Sequence, residues 1–332
     1  MFTGEYMESF ILAGDIGGTK TTLAIFDPIK GPRTFIAKET LPSGNCPTFE
    51  ALLDVFLEGK NFPLSRACFG IAGPIFEGSV QMPNLNWLID ESTLSEKLKI
   101  PVHLINDLEA IATSVPILEK DDLETLSSGK AARRGSLAVI APGTGLGEAH
   151  LHWNGAGYQS YPSEGGHVDF APTNQMQFEL MTTLQDRFGH VSYERVCSGP
   201  GLLNIYAFFK ESGKYLEPEW LREQISRVKN PAPIISQAAM EGKAEIAVET
   251  LDLFVSILGR EAGNLALKVL ATGGVYLGGG IPPRIIPLLK KELFLDSFKN
   301  KGRFSTMLAN IPVYIICNPD AALVGAAYHD LK

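Results

Sequence analysis

Residues Phe10–Asp27, FILAGDIGGTKTTLAIFD, constrain the fold more than any other stretch of the chain. Apolar residues run from Phe10 to Ala13, Asp15 and a Gly17-Gly18-Thr19 turn follow, and Leu23-Ala24-Ile25-Phe26 closes the stretch. Both flanks are short, apolar and bounded by turn residues, so each is predicted as a strand and the two as a hairpin. The glycines let backbone N–H groups approach a ligand closely, and Thr19 and Thr21 add hydroxyl donors, which makes a concave anion site. Asp15 leaves an apolar strand, where a carboxylate is costly unless paired or bound to a metal. Anion donors beside a carboxylate are what a phosphate–Mg²⁺ pair needs. Alone, the residues fit an ordinary tight hairpin equally well, with the Asp making a local turn hydrogen bond. A Walker A loop is rejected, because it needs Gly where Thr19 precedes Lys20 and a helix where a strand follows.

The unit recurs. Leu137–Gly147, LAVIAPGTGLG, is again an apolar strand and a Gly-Thr turn, with a second strand through Ala149–Trp153. A lone G-x-G-x-G string carries little weight, but a second strand–Gly-Thr–strand unit suggests two related halves, each with a glycine-rich phosphate hairpin. At 332 residues the chain is long enough for two domains, each with a sizeable core. Its 45% hydrophobic and 20% charged residues are those of an ordinary soluble globular protein. The formal charge of −8 argues against nucleic acid as a partner. Cys46, Cys68, Cys197 and Cys317 have no C-x-x-C spacing, which fits a reduced compartment and no zinc site. No apolar run reaches membrane-spanning length, and MFTGEYMES lacks the pattern of a signal peptide, so a cytoplasmic protein is expected.

Between the hairpins, Phe35-Ile36-Ala37 can add a third strand, and Thr48–Glu58 has helical spacing of Phe49, Leu52, Leu53, Phe56 and Leu57. Ala67–Ala72 is a buried strand ending at Gly73-Pro74, and Met82–Trp87 is an irregular loop, either packed or pocket-lining. Val102–Ile105 is the next strand, with Asn106-Asp107 at its end and a helix from Leu108. Two roles fit that pair: helix N-cap, or a carboxylate at a strand's carboxyl end acting as general base toward a hydroxyl. The polar run Pro116–Arg134 reads as the crossing between domains.

In the second half, Glu164-Gly165-Gly166-His167 lies in a glycine-flanked loop where hydrogen bonding to a polyol fits better than zinc. Glu194 is either part of such a site or a surface glutamate paired with Arg195. Lys243–Ala271 is predicted as one long helix whose Gly259-x-x-x-Gly263 allows close packing. Gly273–Ile281 is a strand running into bare backbone, and Pro282-Pro283 opens a helix; the glycine strip serves either packing or a nucleotide lying flat. Strand Ile311–Cys317 and helix Ala321–His329 close the chain.

The motifs Asp15-Ile16-Gly17-Gly18-Thr19, Ile105-Asn106-Asp107, Gly143-Thr144-Gly145-Leu146-Gly147, Glu164–Pro172 and Glu194–Gly201 stand in the order and at the separations of one family. Together they resemble bacterial ATP-dependent glucokinases, of the actin-like ATPase superfamily, over almost the whole chain. The resemblance implies an α/β protein of two actin-like (ribonuclease H-like) domains with a sugar/ATP cleft between them. The small domain would be residues 9–117 plus 318–332 and the large one 118–317. Asn106, Asp107, Glu164, His167 and Glu194 would bind the sugar, with Asp107 the catalytic base. Gly17, Gly18, Thr19, Gly143, Thr144 and Gly145 would hold the ATP phosphates, Asp15 would lie near Mg²⁺, and Gly279 and Gly280 near the adenosine. Lys20 departs from the Asn of many relatives, and Ala141-Pro142 precede the second Gly-Thr turn. Sugar kinases and repressors with a cysteine-rich zinc motif match poorly, since the chain has no such cysteine cluster.

The expected reaction moves the γ-phosphoryl group of ATP to the 6-hydroxyl of glucose, with a homodimer as the expected assembly and domain closure excluding water. A kinase for mannose or an amino sugar is the alternative. A non-catalytic sugar sensor ranks behind both, because about nine residues precede the first strand and the charge is negative.

Overall fold

The computed structural model describes residues 9–82, 84–329 and 331. The leader reading of the first eight residues, and Pro83 of the irregular loop, lie outside them. The chain divides into two compact units, one of Met1–Leu118, Tyr158–Pro162 and Asn318–Lys332, the other of Glu119–Gly157 and Ser163–Cys317.

The first unit is built on β1 (Phe10–Ile16), β2 (Lys20–Phe26), β3 (Phe35–Pro42), β4 (Leu64–Ile71), a small β5–β6 ribbon (Ser79–Met82 and Trp87–Asp90) and β7 (Val102–Asn106). The five-stranded sheet runs β3-β2-β1-β4-β7. The β1–β2–β3 meander is antiparallel, and β1, β4 and β7 are parallel. Ile11, Leu12 and Ala13 are all buried, as a strand covered on both faces must be. On one face α1 (Phe49–Leu57) places Phe49, Leu52, Leu53 and Phe56 against Leu12 and Phe69. Its N-cap Thr48 accepts the Ala51 N–H at 3.2 Å. A second helix, α2 (Glu91–Leu98), precedes β7. On the other face α3 (Asp107–Ser114) and the C-terminal helix, Ala321–His329, pack over Ile11, Ala13 and Ala24. A Cβ at Gly325 would stand 1.7 Å from the Ala110 carbonyl oxygen, so the two helices touch backbone to backbone.

The second unit holds β8 (Leu123–Ser127), β9 (Leu137–Pro142), β10 (Leu146–Trp153), β12 (Gly274–Leu277) and β13 (Val313–Ile316), while β11 (Tyr158–Ser163) belongs as far as Pro162 to the first unit. Within it the hydrogen-bonded order is β10-β9-β12-β13-β8. β9 and β10 form an antiparallel hairpin, and β9, β12 and β13 are parallel, so the opening pattern of the first sheet is repeated. Helices α4 (Gln175–Phe188), α5 (Gly199–Ser212), α6 (Glu219–Ser226), α7 (Ala232–Met240), α8 (Glu245–Lys268), α9 (Ile286–Leu289), α10 (Glu292–Lys299) and α11 (Ser305–Ala309) complete it. α8 is the core helix, with Ile246, Leu251, Phe254, Leu258 and Leu265 buried. Gly259 and Gly263 lie against α10: an added Cβ would come within 2.5 Å of the Phe294 and Phe298 carbonyl oxygens.

Two expectations are corrected and one is extended. The long helix stops at Lys268, because Leu270 adopts φ 50° and turns the chain. The first break between the units falls after Leu118, inside the polar run Pro116–Arg134 read as the crossing, and the same run also holds β8, a strand pairing antiparallel with β13. Pro282–Arg284 forms a 3₁₀ turn and only the four-residue α9 follows, so no sizeable helix begins at the prolines.

Candidate active site

In the first unit the site is built at the carboxyl ends of three parallel strands. Register places Asp15 opposite Gly70 and Ile71 opposite Asn106, so Asp15, Gly73 and the Asn106-Asp107 pair share one edge. That edge is where open α/β sheets take ligands. Asn106 is the helix cap: its Oδ1 accepts the Leu108 N–H at 2.9 Å, while its Nδ2 donates to the Gly73 carbonyl at 3.2 Å. Asp107 is therefore the first residue of α3, half-buried, its carboxylate at the positive end of the helix. Asp107 Oδ1 accepts the same Leu108 N–H at 2.9 Å, so both side chains of the pair serve the helix start.

The turn between β1 and β2 closes by Gly17 N–H to Lys20 carbonyl at 3.0 Å, leaving Gly18 and Thr19 exposed. Ser43, fully buried, braces it. Its hydroxyl donates to the Gly17 carbonyl at 2.7 Å and its N–H to the Thr19 carbonyl at 3.0 Å. With that proton committed, Thr21 must donate to Ser43 Oγ, 3.0 Å away. Thr21 thus serves the hairpin, and the expectation that it offers a hydroxyl to a ligand is corrected. Burial raises the Asp15 carboxyl above the usual range; Lys20 opposes that shift and Asp320 adds to it. Asp320, bonded at 2.5 Å to Lys38, went unnoticed in the sequence because Asn-Pro-Asp before a helix reads as a turn. Among the described residues no three His, Cys, Asp or Glu side chains are grouped to hold a metal ion. A cation held by one or two carboxylates and substrate phosphates needs no such group, and Asp15 facing Asp320 fits it.

In the second unit Glu164, His167 and Glu194 come together. His167 Nε2 stands 3.8 Å from Glu164 Oε2 and 4.0 Å from Glu194 Oε2. Backbone bonds zip the two segments: Phe170 N–H to Val191 carbonyl at 2.9 Å, and Tyr193 N–H to Val168 carbonyl at 3.1 Å. Gly165 and Gly166 let the loop lie flat on β10, since a Cβ on Gly166 would sit 2.0 Å from the Leu146 carbonyl oxygen. Glu194 is not a surface glutamate paired with Arg195. Its Oε2 accepts the Leu146 N–H at 3.0 Å, just beyond the Gly143-Thr144-Gly145 turn, and Arg195 lies over the Phe188 ring at 4.2 Å. Ser198 fixes that backbone, donating to the Glu194 carbonyl at 2.7 Å while capping α5 through the Gly201 N–H.

The Gly143-Thr144-Gly145 turn closes by Gly143 N–H to Gly145 carbonyl at 2.8 Å and is tied to α5 by Gly199 N–H to Gly143 carbonyl, also 2.8 Å. Thr144 is exposed at its tip. Gly279 packs beside this hairpin with φ 78°, its Cβ position 2.6 Å from the Pro142 carbonyl oxygen, so packing requires glycine there. Gly280 faces open space, leaving bare backbone next to the turn. Packing and an open strip thus fall on neighbouring glycines.

Two α/β units, each opening with a glycine hairpin onto parallel strands, are the two-domain actin-like architecture of sugar kinases. The sequence pattern of the glucokinase family matches residues 12–331. A glucokinase of Trichormus variabilis is 41% identical over 96% of this chain and 98% of its own length. One from Synechocystis is 37% identical over 95% and 96%. The crystal structure of a glucokinase from an Antarctic psychrotroph superposes with a TM-score of 0.83 at 30% identity, covering 97% of this chain and 98% of that one. The chain belongs to the glucokinase family.

Proposed function

We propose that this protein transfers the γ-phosphoryl group of ATP to the 6-hydroxyl of glucose, giving glucose 6-phosphate and ADP. The observation that carries the reading is the family match over residues 12–331, which spans every motif discussed above. Phosphoryl transfer asks the protein for positioning and for cancellation of negative charge more than for covalent help.

Asp107 is the general base, taking the proton of the sugar's 6-hydroxyl as it attacks phosphorus. It stands in the first turn of α3, at the positive end of that helix. Glu164, His167, Glu194 and Asn106 hold the remaining hydroxyls, and a site built on such bonds rejects a sugar lacking one. The N–H groups and threonines of Gly17-Gly18-Thr19 and Gly143-Thr144-Gly145 hold phosphate oxygens, and Gly279-Gly280 lies by the adenosine. Asp15 would hold Mg²⁺, which when bound would supply neutralising charge to the phosphates. Glucose and ATP are the small-molecule partners; the negative charge speaks against nucleic acid, and no helix among the described residues is long and apolar enough to cross a membrane. A homodimer in the cytoplasm completes the reading, the latter supported by four cysteines that are all thiols.

A panel of hexoses with ATP and Mg²⁺ tests the proposal. Glucose should give the highest kcat/KM. A higher value for mannose or an amino sugar would move the chain to another hexose, and no turnover of any sugar would leave the sensor reading. Sedimentation at working concentration decides the dimer.

A further inference from the structure

The mechanism leaves unused the most unusual polar group of the second unit. Glu148, on β10 three residues past the Gly143-Thr144-Gly145 turn, is 1% exposed, and Glu261 on α8 is 0% exposed. Two buried carboxyls side by side cannot both ionise cheaply. Burial first, then the adjacent Glu261 charge and a hydrogen bond to it, push the Glu148 carboxyl up to about 8. Its Oε1 has no hydrogen-bond partner among the described residues. The positive charge lies on the Glu261 side: Lys268 Nζ bonds Glu261 Oε1 at 3.2 Å, and Lys301 bonds the Asn264 amide oxygen. Arg260, on the same helix, and the Cys197 thiol, pushed up by burial and by both glutamates, complete the charged and titratable surroundings with Tyr193.

Both sugar-reading segments rest on this pair. A Cβ on Gly165 would lie 2.0 Å from Glu148 Oε2, so the carboxyl is the floor under the loop carrying Glu164 and His167. Asn264 Nδ2 donates to Glu261 Oε2 at 2.8 Å and to Tyr193 Oη at 3.0 Å, and Tyr193 immediately precedes Glu194. We propose that Glu148 and Glu261 share one proton and act as positioning residues, locking the Glu164–His167 loop and the Tyr193–Glu194 turn in register for the sugar. Losing that proton sets two carboxylates against each other beneath Gly165 and loosens sugar binding. The inference rests on the sugar-binding reading of Glu164, His167 and Glu194.

The sign follows from the raised value. Neutral Glu148 is kept in the folded protein up to about pH 8, so its contribution is intact below the ordinary carboxylate range and is lost as pH climbs through 8. Glucose binding by calorimetry should weaken about five- to tenfold between pH 7 and 9.5 in the wild type. Glu148→Gln, which keeps a neutral side chain that can bond Glu261, should retain pH 7 affinity and abolish that alkaline loss. Glu148→Ala should raise the glucose KM about tenfold with kcat and the ATP KM little changed. If Glu148→Ala does not fold, the pH profile of Glu148→Gln decides alone.

Two readouts need no sugar. Infrared spectroscopy of the ligand-free protein should show a protonated carboxyl that titrates near pH 8 and is missing in Glu148→Gln. Amide exchange of residues 164–168 and 193–196 should quicken at pH 9.5 in the wild type but not in Glu148→Gln. An absent carboxyl band, or an alkaline loss that survives in Glu148→Gln, overturns the proposal. A wild type that shows the band and the exchange change yet ignores glucose would instead strike the glucokinase reading.

Discussion

The two glycine hairpins have the same backbone plan and different supports. Between β1 and β2 the turn is braced by neutral hydroxyls, Ser43 on Gly17 and Thr21 on Ser43. Between β9 and β10 the strand leaving the turn is held by a carboxylate, Glu194 on the Leu146 N–H. The first hairpin has a carboxylate, Asp15, two residues before its first turn glycine; the second has buried Ala141 there. A sequence echo thus fixes the backbone of a phosphate loop, while distant residues decide what else the loop is coupled to. The first hairpin stands beside the proposed base and metal carboxylate. The second is tied through Glu194 to the proposed sugar-binding residues.

The largest effect should come from the first unit. Asp107→Asn should lower kcat by roughly 10²–10⁴-fold, the usual worth of a general base. The melting temperature should hardly move, because Asn106 and the amide oxygen left by the substitution can both still accept the Leu108 N–H. Stopped assays with a parallel thermal melt separate the two. A variant with wild-type kcat would leave Asp107 a structural residue and put the chemistry elsewhere.

Next comes the coupling in the second unit. Glu194→Gln takes the negative charge from the side chain whose Oε2 accepts the Leu146 N–H and stands 4.0 Å from His167. It should cost about 1–3 kcal/mol, raising the glucose KM and the ATP KM together. His167→Ala should raise the glucose KM alone. If Glu194→Gln left the ATP KM untouched, the contrast between the hairpins would reduce to packing.

Ser43→Ala probes the neutral brace. It strips the partner from the Gly17 carbonyl and the Thr21 hydroxyl, both part of one buried network, and should cost about 1–3 kcal/mol in denaturant unfolding. The glucose KM should stay at its wild-type value. A rise matching that of Glu194→Gln would erase the difference between the two supports.

Much of this was legible in the sequence, for local reasons. Apolar flanks around Gly-Gly and Gly-Thr announce both hairpins, and Thr48 before a 3.6-period run announces α1. Asn106-Asp107 at a strand end marks the site edge. The braces were not legible, because Ser43 sits in Ser-Gly-Asn, which reads as an ordinary turn. β8 escaped because none of its five residues is fully buried, leaving no apolar alternation. Glu148 shares a strand face with His150 and His152, which looks solvated; only the fold brings Glu261 beside it. Long-range pairing of polar groups leaves no periodic trace.

The smallest effect concerns Asp15 and is read in the ligand-free protein. Its carboxyl is raised mainly by burial, with Asp320 adding and Lys20 opposing. A raised folded value means that the group's contribution to stability is fully present below the unfolded carboxylate range near 3.8 and is lost as pH rises through the folded value. At neutral pH the ionised side chain is therefore held at a cost, which a bound cation would offset. Ala141 at the matching position of the second hairpin carries no such cost. Asp15→Asn should melt with the wild type at pH 3 and on the order of a degree or two higher at pH 7. Added Mg²⁺ and an ATP analogue should raise the wild-type melting temperature more than the variant's. A variant that melts lower at pH 7 would mean that attraction to Lys20 outweighs burial, and the first hairpin would then be held by charge as the second is.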